Sequence, residues 1–246
     1  MRTFLLHGES VPYPPSIRYD ASMRFLIEWD GPVFDVADAW YQAHRSAATG
    51  VGWSTLDQGT FWRLVRTTGA EANFLPGAKP TKAAAYAELF ANTIESDAIL
   101  EAVGCQSGMA ESLAEIGRFG PIVGITLGAN VEARRRGLLR NRLDGAFARL
   151  ERLDPDPRRR PAELLALAEK DPHAIVLAGT DALLRSADAA GLFGIGLSCG
   201  TCTSTRLQRA GPRLVMGDIT QFATELRLGG AELVRLGLLP FSPAGR

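Results

Sequence analysis

The stretch FLIEWDGPVFD, residues 25–35, carries the strongest structural signal in this sequence. An apolar run ends there at two carboxylates, Glu28 and Asp30, which are separated by one residue and followed by a Gly-Pro pair. A short apolar run of this kind is typical of a buried strand, which we predict over residues 24–29. Ligands of open parallel sheets bind at the carboxyl ends of strands. The stretch therefore predicts a strand that places Glu28 and Asp30 at a functional edge.

The second half of the chain alternates apolar runs with helical patterns. The runs predicted as strands are PIVGIT (121–126), HAIVLAG (173–179), FGIGLS (193–198) and PRLVMGD (212–218). Helical patterns follow each of them, and the final helix is predicted over residues 219–236. Strands that alternate with helices indicate an α/β protein with a doubly wound parallel sheet in three layers.

The region between the first strand and this second half is predicted to be helical. The segments TFWRLVRT, TKAAAYAELFANTI and DAILEAVG are separated by Gly, Pro and Asn, and no convincing strand pattern interrupts them. We therefore expect an irregular leader over residues 1–22, an α/β core over 23–49 and 108–246, and a small helical insert over 50–107.

Composition narrows the classes of partner. The chain has 246 residues, 46% of them hydrophobic, and a formal net charge of zero. We expect neither a nucleic-acid nor a membrane partner, because nothing attracts the chain as a whole to polyanions and no apolar run approaches a transmembrane length. The N-terminal stretch is a poor signal peptide, and three cysteines do not form a secreted disulfide scaffold, so we expect a cytoplasmic protein. Its oligomeric state is not predicted.

The residues that end the predicted strands, taken in order, resemble the haloacid-dehalogenase-like (HAD) superfamily. The first motif of that family, Asp-x-Asp-Gly after an apolar run, corresponds to LIEWDGPVF; the second, a Ser or Thr that ends a strand, corresponds to Thr126 in GITLG. The third, Lys-Pro at a helix start, corresponds to Arg160-Pro161, and the fourth, an acidic motif after a strand, to IVLAGTDALLRS. The resemblance spans roughly residues 23–235 and is to the capped, phosphoglycolate-phosphatase-like branch, which makes residues 50–107 the expected cap.

The resemblance implies a phosphatase site. In the family one carboxylate attacks phosphorus and a second transfers protons, while a bound Mg²⁺ and basic and hydroxyl side chains offset the phosphate charge. Carried over by position, the catalytic residues are Glu28, Asp30, Thr126 and Arg160. The metal ligands would be Glu28, Asp30 and Asp181, and the partner a small phosphorylated molecule or another small anion.

The chain departs from the family at three of these four motifs. Glu28 replaces the nucleophilic Asp, and a misplacement of about 1 Å can cost about 100-fold in rate. Arg160 replaces the Lys, while Thr180 and Leu184 occupy the two acidic positions of the fourth motif. We therefore expect a degenerate site in an anion-binding pseudoenzyme or divergent hydrolase that lacks standard Mg²⁺-dependent activity. The alternative is an active hydrolase of a small phosphorylated metabolite that uses Mg²⁺, Glu28 and Asp30.

Two further features have structural interpretations. Asp181 is most simply the N-cap of the following helix, an interpretation that we prefer to a metal ligand. Cys199 and Cys202 form a lone C-x-x-C pair, and zinc would need two more ligands. A redox dithiol is the less favoured interpretation, and the role of the pair is left open.

Overall fold

The computed structural model describes residues 23–69 and 74–237. The predicted leader, residues 1–22, lies outside the described residues, as do residues 70–73 and 238–246. No helix among those described combines the length and the apolar character that crossing a bilayer requires.

Six of the described strands form one parallel sheet: β1 (Phe25–Glu28), β4 (Ile122–Thr126), β5 (Arg149–Arg152), β6 (Ile175–Ala178), β7 (Phe193–Leu197) and β8 (Leu214–Met216). Their order in the sheet is β5-β4-β1-β6-β7-β8. The chain builds outward from β1 in one direction to β5 and then in the other direction to β8. This reversal confirms the predicted doubly wound sheet and places its switch point at the carboxyl end of β1.

Helices cover both faces of the sheet. The helices of the core are α5 (Met109–Gly117), α6 (Val131–Arg140), α7 (Arg160–Leu167), α8 (Asp181–Ala189), α9 (Ser204–Gln208), α10 (Ile219–Arg227) and α11 (Ala231–Arg235). Phe25 and Ile27 point into the apolar cluster that includes α5 and α10, whereas Leu26 points into the opposite cluster with α7 and α8. This alternation of side chains along β1 produces the three predicted layers.

Two details of the core differ from the prediction. Strand β5, with the sequence RLER, was not predicted, because its charged residues lie at an edge of the sheet where no apolar run is needed. The final helix is not continuous over residues 219–236 but divides into α10 and α11. The division falls at Gly229 and Gly230, whose positive φ angles of 94° and 59° interrupt a helix.

The segment predicted as the cap, residues 50–107, contains helices α2 (Gln58–Thr68), α3 (Pro80–Ile94) and α4 (Asp97–Ala102), which follow α1 (Ala37–Gly50). Ala43 and Ala47 of α1 pack into the apolar cluster of the cap, together with Phe61 and Tyr86. Contrary to the prediction, this region also contains a strand: β3 (Gly104–Cys105) pairs antiparallel with β2 (Phe34–Asp35) where the chain leaves and re-enters the core.

His44 is buried at the centre of that cluster. Its Nε2 accepts a hydrogen bond from the Leu56 backbone N–H at 3.1 Å. In the neutral ring Nδ1 therefore carries the proton, and Nδ1–H donates a hydrogen bond to the Tyr86 hydroxyl oxygen at 2.8 Å. The ring stacks on Phe61 with a centroid distance of 4.6 Å. Burial lowers the pKa of His44, which keeps the imidazole neutral.

Candidate active site

The carboxyl ends of β1 and β4 bring Asp30 and Thr126 together, as the spacing predicts. The Thr126 hydroxyl donates a hydrogen bond to Asp30 Oδ2 at 2.8 Å and accepts one from the Gly128 backbone N–H at 2.9 Å. Gly31 follows with φ at +102°, and a side chain there would collide with the backbone of Gly200. The turn after Asp30 therefore requires glycine.

Glu28 reaches across the sheet edge to the start of α8. Its Oε2 accepts hydrogen bonds from the backbone N–H groups of Gly179 at 2.7 Å and Thr180 at 2.9 Å, and its Oε1 lies 2.8 Å from the Thr180 hydroxyl. Only 2% of Glu28 is exposed. Burial raises its pKa to about 8; the bond to Thr180 opposes that rise and the charge of Asp30 adds to it. Glu28 is therefore mainly neutral at pH 7 and faces protein atoms.

The half-buried Asp30 forms an ion pair with the buried Arg134 that the sequence analysis missed. Arg134 Nε donates to the two Asp30 carboxylate oxygens at 3.0 and 3.1 Å, and its Nη1 and Nη2 donate to Glu95 at 2.8 and 3.0 Å. Arg134 is only 6% exposed. Although burial disfavours the charged guanidinium, the two carboxylates raise the pKa of Arg134 above its ordinary value. The pair links the sheet edge through α6 to Glu95, which ends helix α3 of the cap.

One signal could have revealed Arg134. It belongs to the run Arg134-Arg135-Arg136. Three consecutive arginines are typical of a solvent-exposed surface, but on a helix one residue of such a run can face inward while the others face solvent. Because α6 begins directly after β4, its first turn lies beside Thr126. Gly128 provides the space, since a side chain at that position would collide with the Arg134 guanidinium.

Arg160 is not brought into this group. Its Nε donates to the Asp154 carbonyl at 2.8 Å and its Nη2 donates to the Pro155 carbonyl, so the guanidinium binds the loop that precedes its own helix. Within the described part of the chain, no hydrogen bond joins Arg160 to Asp30 or Thr126. Arg160 therefore binds its own loop, whereas Thr126 binds Asp30.

The fourth-motif region has a different geometry from the one predicted. Thr180, not Asp181, is the N-cap of α8, because its hydroxyl accepts the Leu183 backbone N–H. Asp181 is the first helical residue, and it pairs with Arg185 and Arg206, each at 2.7 Å. Despite burial, these partners lower the pKa of Asp181. Leu184 is buried in the apolar core.

These contacts test whether the residues fit Mg²⁺, which binds carboxylate oxygens in octahedral geometry. The oxygens of Glu28 accept bonds from α8, those of Asp30 from Thr126 and Arg134, and those of Asp181 from two arginines. Within residues 23–69 and 74–237, no cluster of three or more His, Cys, Asp or Glu side chains is arranged to hold a metal. The donor set does not fit a magnesium ion.

In the C-x-x-C pair, Cys199 is half-buried and Cys202 is buried. Burial raises the pKa of Cys199 to about 12 and that of Cys202 to about 11, and neither forms a disulfide. Because the thiolate is the reactive and metal-binding form, these values disfavour both a redox and a metal role. Cys202 Sγ instead contacts Asp181 Oδ1 at 3.7 Å.

Comparison with known proteins shows the fold. No family model and no curated protein sequence matches the chain significantly. Among solved structures, a haloacid-dehalogenase-like hydrolase from Streptococcus pneumoniae superposes with a TM-score of 0.69 at 13% identity, over 83% of this chain and 99% of that one. A predicted phosphatase from Clostridium acetobutylicum gives 0.66 at 15% identity, over 82% of this chain and 97% of that one.

A predicted phosphoglycolate phosphatase from Haemophilus somnus gives a TM-score of 0.62 at 12% identity, over 82% of this chain and 96% of that one. Each of these matches covers most of both chains. The resemblance inferred from the order of the motifs is therefore confirmed at the level of fold: the chain has the HAD-like α/β core. At these identities the likeness does not extend to activity.

Proposed function

We propose that this HAD-like chain is a pseudoenzyme that binds a small molecule and lacks Mg²⁺-dependent phosphatase activity. One observation carries the proposal: the carboxylates in the positions of the nucleophile and the acid/base both bind protein groups. Glu28 binds the start of α8, and Asp30 binds Arg134 and Thr126.

A nucleophilic carboxylate must be ionised and must face the phosphorus atom. Glu28 meets neither condition, since its pKa of about 8 keeps it mainly protonated and its oxygens lie against Gly179 and Thr180. Freeing it would break three hydrogen bonds in a buried site.

The acid/base position is blocked in a different way. Both Asp30 oxygens accept bonds from Arg134, and Oδ2 also accepts one from Thr126. Separating the pair would leave the buried Arg134 guanidinium and the half-buried Asp30 carboxylate without each other, which costs about 1–3 kcal/mol or more for charged groups. Arg134 thus supplies the positive charge beside Asp30 that a metal ion would otherwise provide.

One observation favours the alternative, an active hydrolase. A buried carboxyl group with a pKa near neutrality is a feature of general acids, and Glu28 has one. Under this alternative hypothesis Glu28 and Asp30 would act together on a small phosphorylated metabolite. The contacts of both side chains make this the weaker proposal.

Turnover assays separate the two proposals. The purified chain would be assayed with p-nitrophenyl phosphate and a panel of sugar phosphates, with and without Mg²⁺, beside Glu28→Gln, Asp30→Asn and the exposed control Glu88→Gln. We expect the wild-type chain to release phosphate no faster than Asp30→Asn. Turnover that both site variants abolish and Glu88→Gln preserves would establish the hydrolase instead.

The remaining parts of the proposal concern ligand and location. We propose a small anion as the ligand class. Thr126 bonds Asp30 and Arg160 bonds its own loop, so neither residue is proposed to bind the anion. A reducing cytoplasm is the proposed location, supported by three cysteines that the structure leaves unpaired.

A further inference from the structure

The cap segment closes the space beside Asp30. Asp30 and Arg134 line a cavity of only about 10 Å³, and Leu100 and Val103 of the cap segment form part of its wall. A cavity needs about 10–15 Å³ to hold one water molecule. In this closed arrangement the space between Asp30 and the cap is therefore too small for a phosphoester.

One contact that holds the cap in place joins Glu95 to the start of α6. Its carboxylate accepts hydrogen bonds from Arg134 Nη1 at 2.8 Å and Nη2 at 3.0 Å, and from the Asn130 backbone N–H at 2.8 Å. The Asn130 side-chain amide donates to the Glu95 carbonyl at 3.0 Å. Although burial opposes ionisation, Arg134 and the Asn130 N–H hold the pKa of Glu95 below its ordinary value. The cap is thus attached here by a charged group at a helix N-terminus, which favours anions.

A second contact joins the end of α2 to the core. Arg66 Nη2 donates to the Ser198 carbonyl at 2.6 Å, and the Arg66 carbonyl accepts the Thr203 backbone N–H at 3.1 Å. From the core, Arg206 Nη1 donates to the Val65 carbonyl at 3.2 Å. Carbonyl groups in the last turn of a helix favour cations and partners from outside the helix. Cap and core therefore each contribute an arginine that binds the other.

Apolar packing also joins the cap to the core. Trp40 of α1 and Trp62 of α2 pack against both the apolar cluster of the sheet and that of the cap. Their rings meet edge-to-face at a centroid distance of 6.5 Å. Units of one chain are expected to move relative to one another unless their interface is large and hydrophobic. Here apolar packing and two arginine contacts oppose that movement.

We propose that the Arg134–Glu95 and Arg66–Ser198 contacts hold the cap closed over Asp30 as an autoinhibitory device. Arg134 binds Asp30 through Nε and Glu95 through Nη1 and Nη2, so one guanidinium joins the masked carboxylate to the cap. The cap opens as a unit only when both contacts break. The inference rests on the proposed function, because it concerns access to the same sheet edge.

Amide hydrogen exchange, followed by NMR on the full chain, measures how often the cap opens. The Thr203 N–H binds a cap carbonyl and reports opening, whereas the Ile175 N–H binds the Arg24 carbonyl within the core and reports global unfolding. In the wild type we expect the Thr203 N–H to exchange at least about 1,000-fold more slowly than an unprotected amide, because a closed cap must open first. Weaker protection would show a freely opening cap and would overturn the proposal.

The Glu95→Gln variant breaks one contact while the other is observed. Losing the charged partner of Arg134 should speed Thr203 exchange at least about tenfold and leave Ile175 unchanged. Glu88→Gln, an exposed change on α3, should alter neither rate. Because Thr203 lies at the contact that the substitution leaves intact, a purely local loss at Glu95 would not affect it. Unchanged Thr203 exchange, or an increase that Ile175 matches, would overturn the proposal.

The reciprocal pair of variants lies on α2. Arg66→Met should speed exchange of the Asn130 N–H, which binds Glu95, at least about tenfold, and the exposed Arg63→Met should not. Equal rates in the two variants would overturn the proposal even if Glu95→Gln fails to fold, which circular dichroism would show.

These measurements use neither Mg²⁺ nor a phosphoester. A cap that opens freely would overturn the autoinhibitory device and leave the contacts of Glu28 and Asp30 as they are. Failure of this inference is therefore distinguishable from failure of the proposed function, which the turnover assay decides.

Discussion

Replacing Glu28 by Gln should stabilise the protein at alkaline pH. An amide has the same shape as the protonated carboxyl group: its oxygen can accept the Gly179 and Thr180 N–H groups, and its NH₂ can donate to the Thr180 hydroxyl. The variant thus keeps the hydrogen bonds of the neutral side chain and removes the possibility of a buried charge.

The size and sign of the effect follow from the pKa of Glu28, which burial raises from its ordinary value of 4.5 to about 8 in the folded chain. Between those values the folded chain binds more protons than the unfolded chain, so stability falls as pH rises through the window. Each pH unit of the window is worth about 1.4 kcal/mol, which gives an order-of-magnitude total of about 5 kcal/mol. Glu28→Gln should abolish this loss.

The assay is urea unfolding, followed by circular dichroism, of the wild type, Glu28→Gln and the exposed control Glu88→Gln from pH 4.5 to 8.5. Comparing chains at each pH cancels the titration of every other group. The stability difference between Glu28→Gln and wild type should be small at the acidic end and several kcal/mol in favour of the variant at the alkaline end. A difference that does not change with pH would refute the reasoning.

Three further predictions concern the buried polar groups. Arg134→Met should lower the free energy of unfolding by about 1–3 kcal/mol, because it leaves the half-buried carboxylate of Asp30 without its partner, while the exposed Arg135→Met changes it by less than about 1 kcal/mol; equal losses in urea unfolding would contradict this. Gly128→Ala should destabilise by displacing Arg134, and a wild-type melting temperature would argue against that packing. His44 has a lowered pKa, so its contribution to stability should be lost as pH falls below 6.5. His44→Gln should flatten that acid slope in thermal melts, and an unchanged slope would exclude His44 as its source.

The sequence predicts the core of the fold because burial leaves a clear pattern. Strands β1, β4 and β6 are completely buried, and each therefore appears as an apolar run bounded by polar or glycine residues. Strand β5 carries Arg149, Glu151 and Arg152 at the sheet edge and leaves no such pattern. The paired Gly229 and Gly230 could have indicated the break between α10 and α11, but the conformation of a glycine is not apparent from sequence alone.

The sequence predicts where the site residues lie in the fold but not which partners their side chains bind. Spacing along parallel strands brings Asp30 beside Thr126, since side chains at neighbouring strand ends meet at one edge. Spacing does not predict which partner a charged side chain chooses. Arg160 binds carbonyl groups of its own loop, while Arg134, which the sequence analysis did not single out, forms the ion pair with Asp30.

The decisive measurement is a calorimetric titration of the purified wild-type chain with Mg²⁺, with Asp30→Asn as the reference. If the carboxylates of the sheet edge are engaged by Arg134 and the start of α8, millimolar Mg²⁺ should produce no binding heat beyond that of the reference variant. Saturable Mg²⁺ binding by the wild type that Asp30→Asn abolishes would contradict the loss of the magnesium site and, with it, the pseudoenzyme.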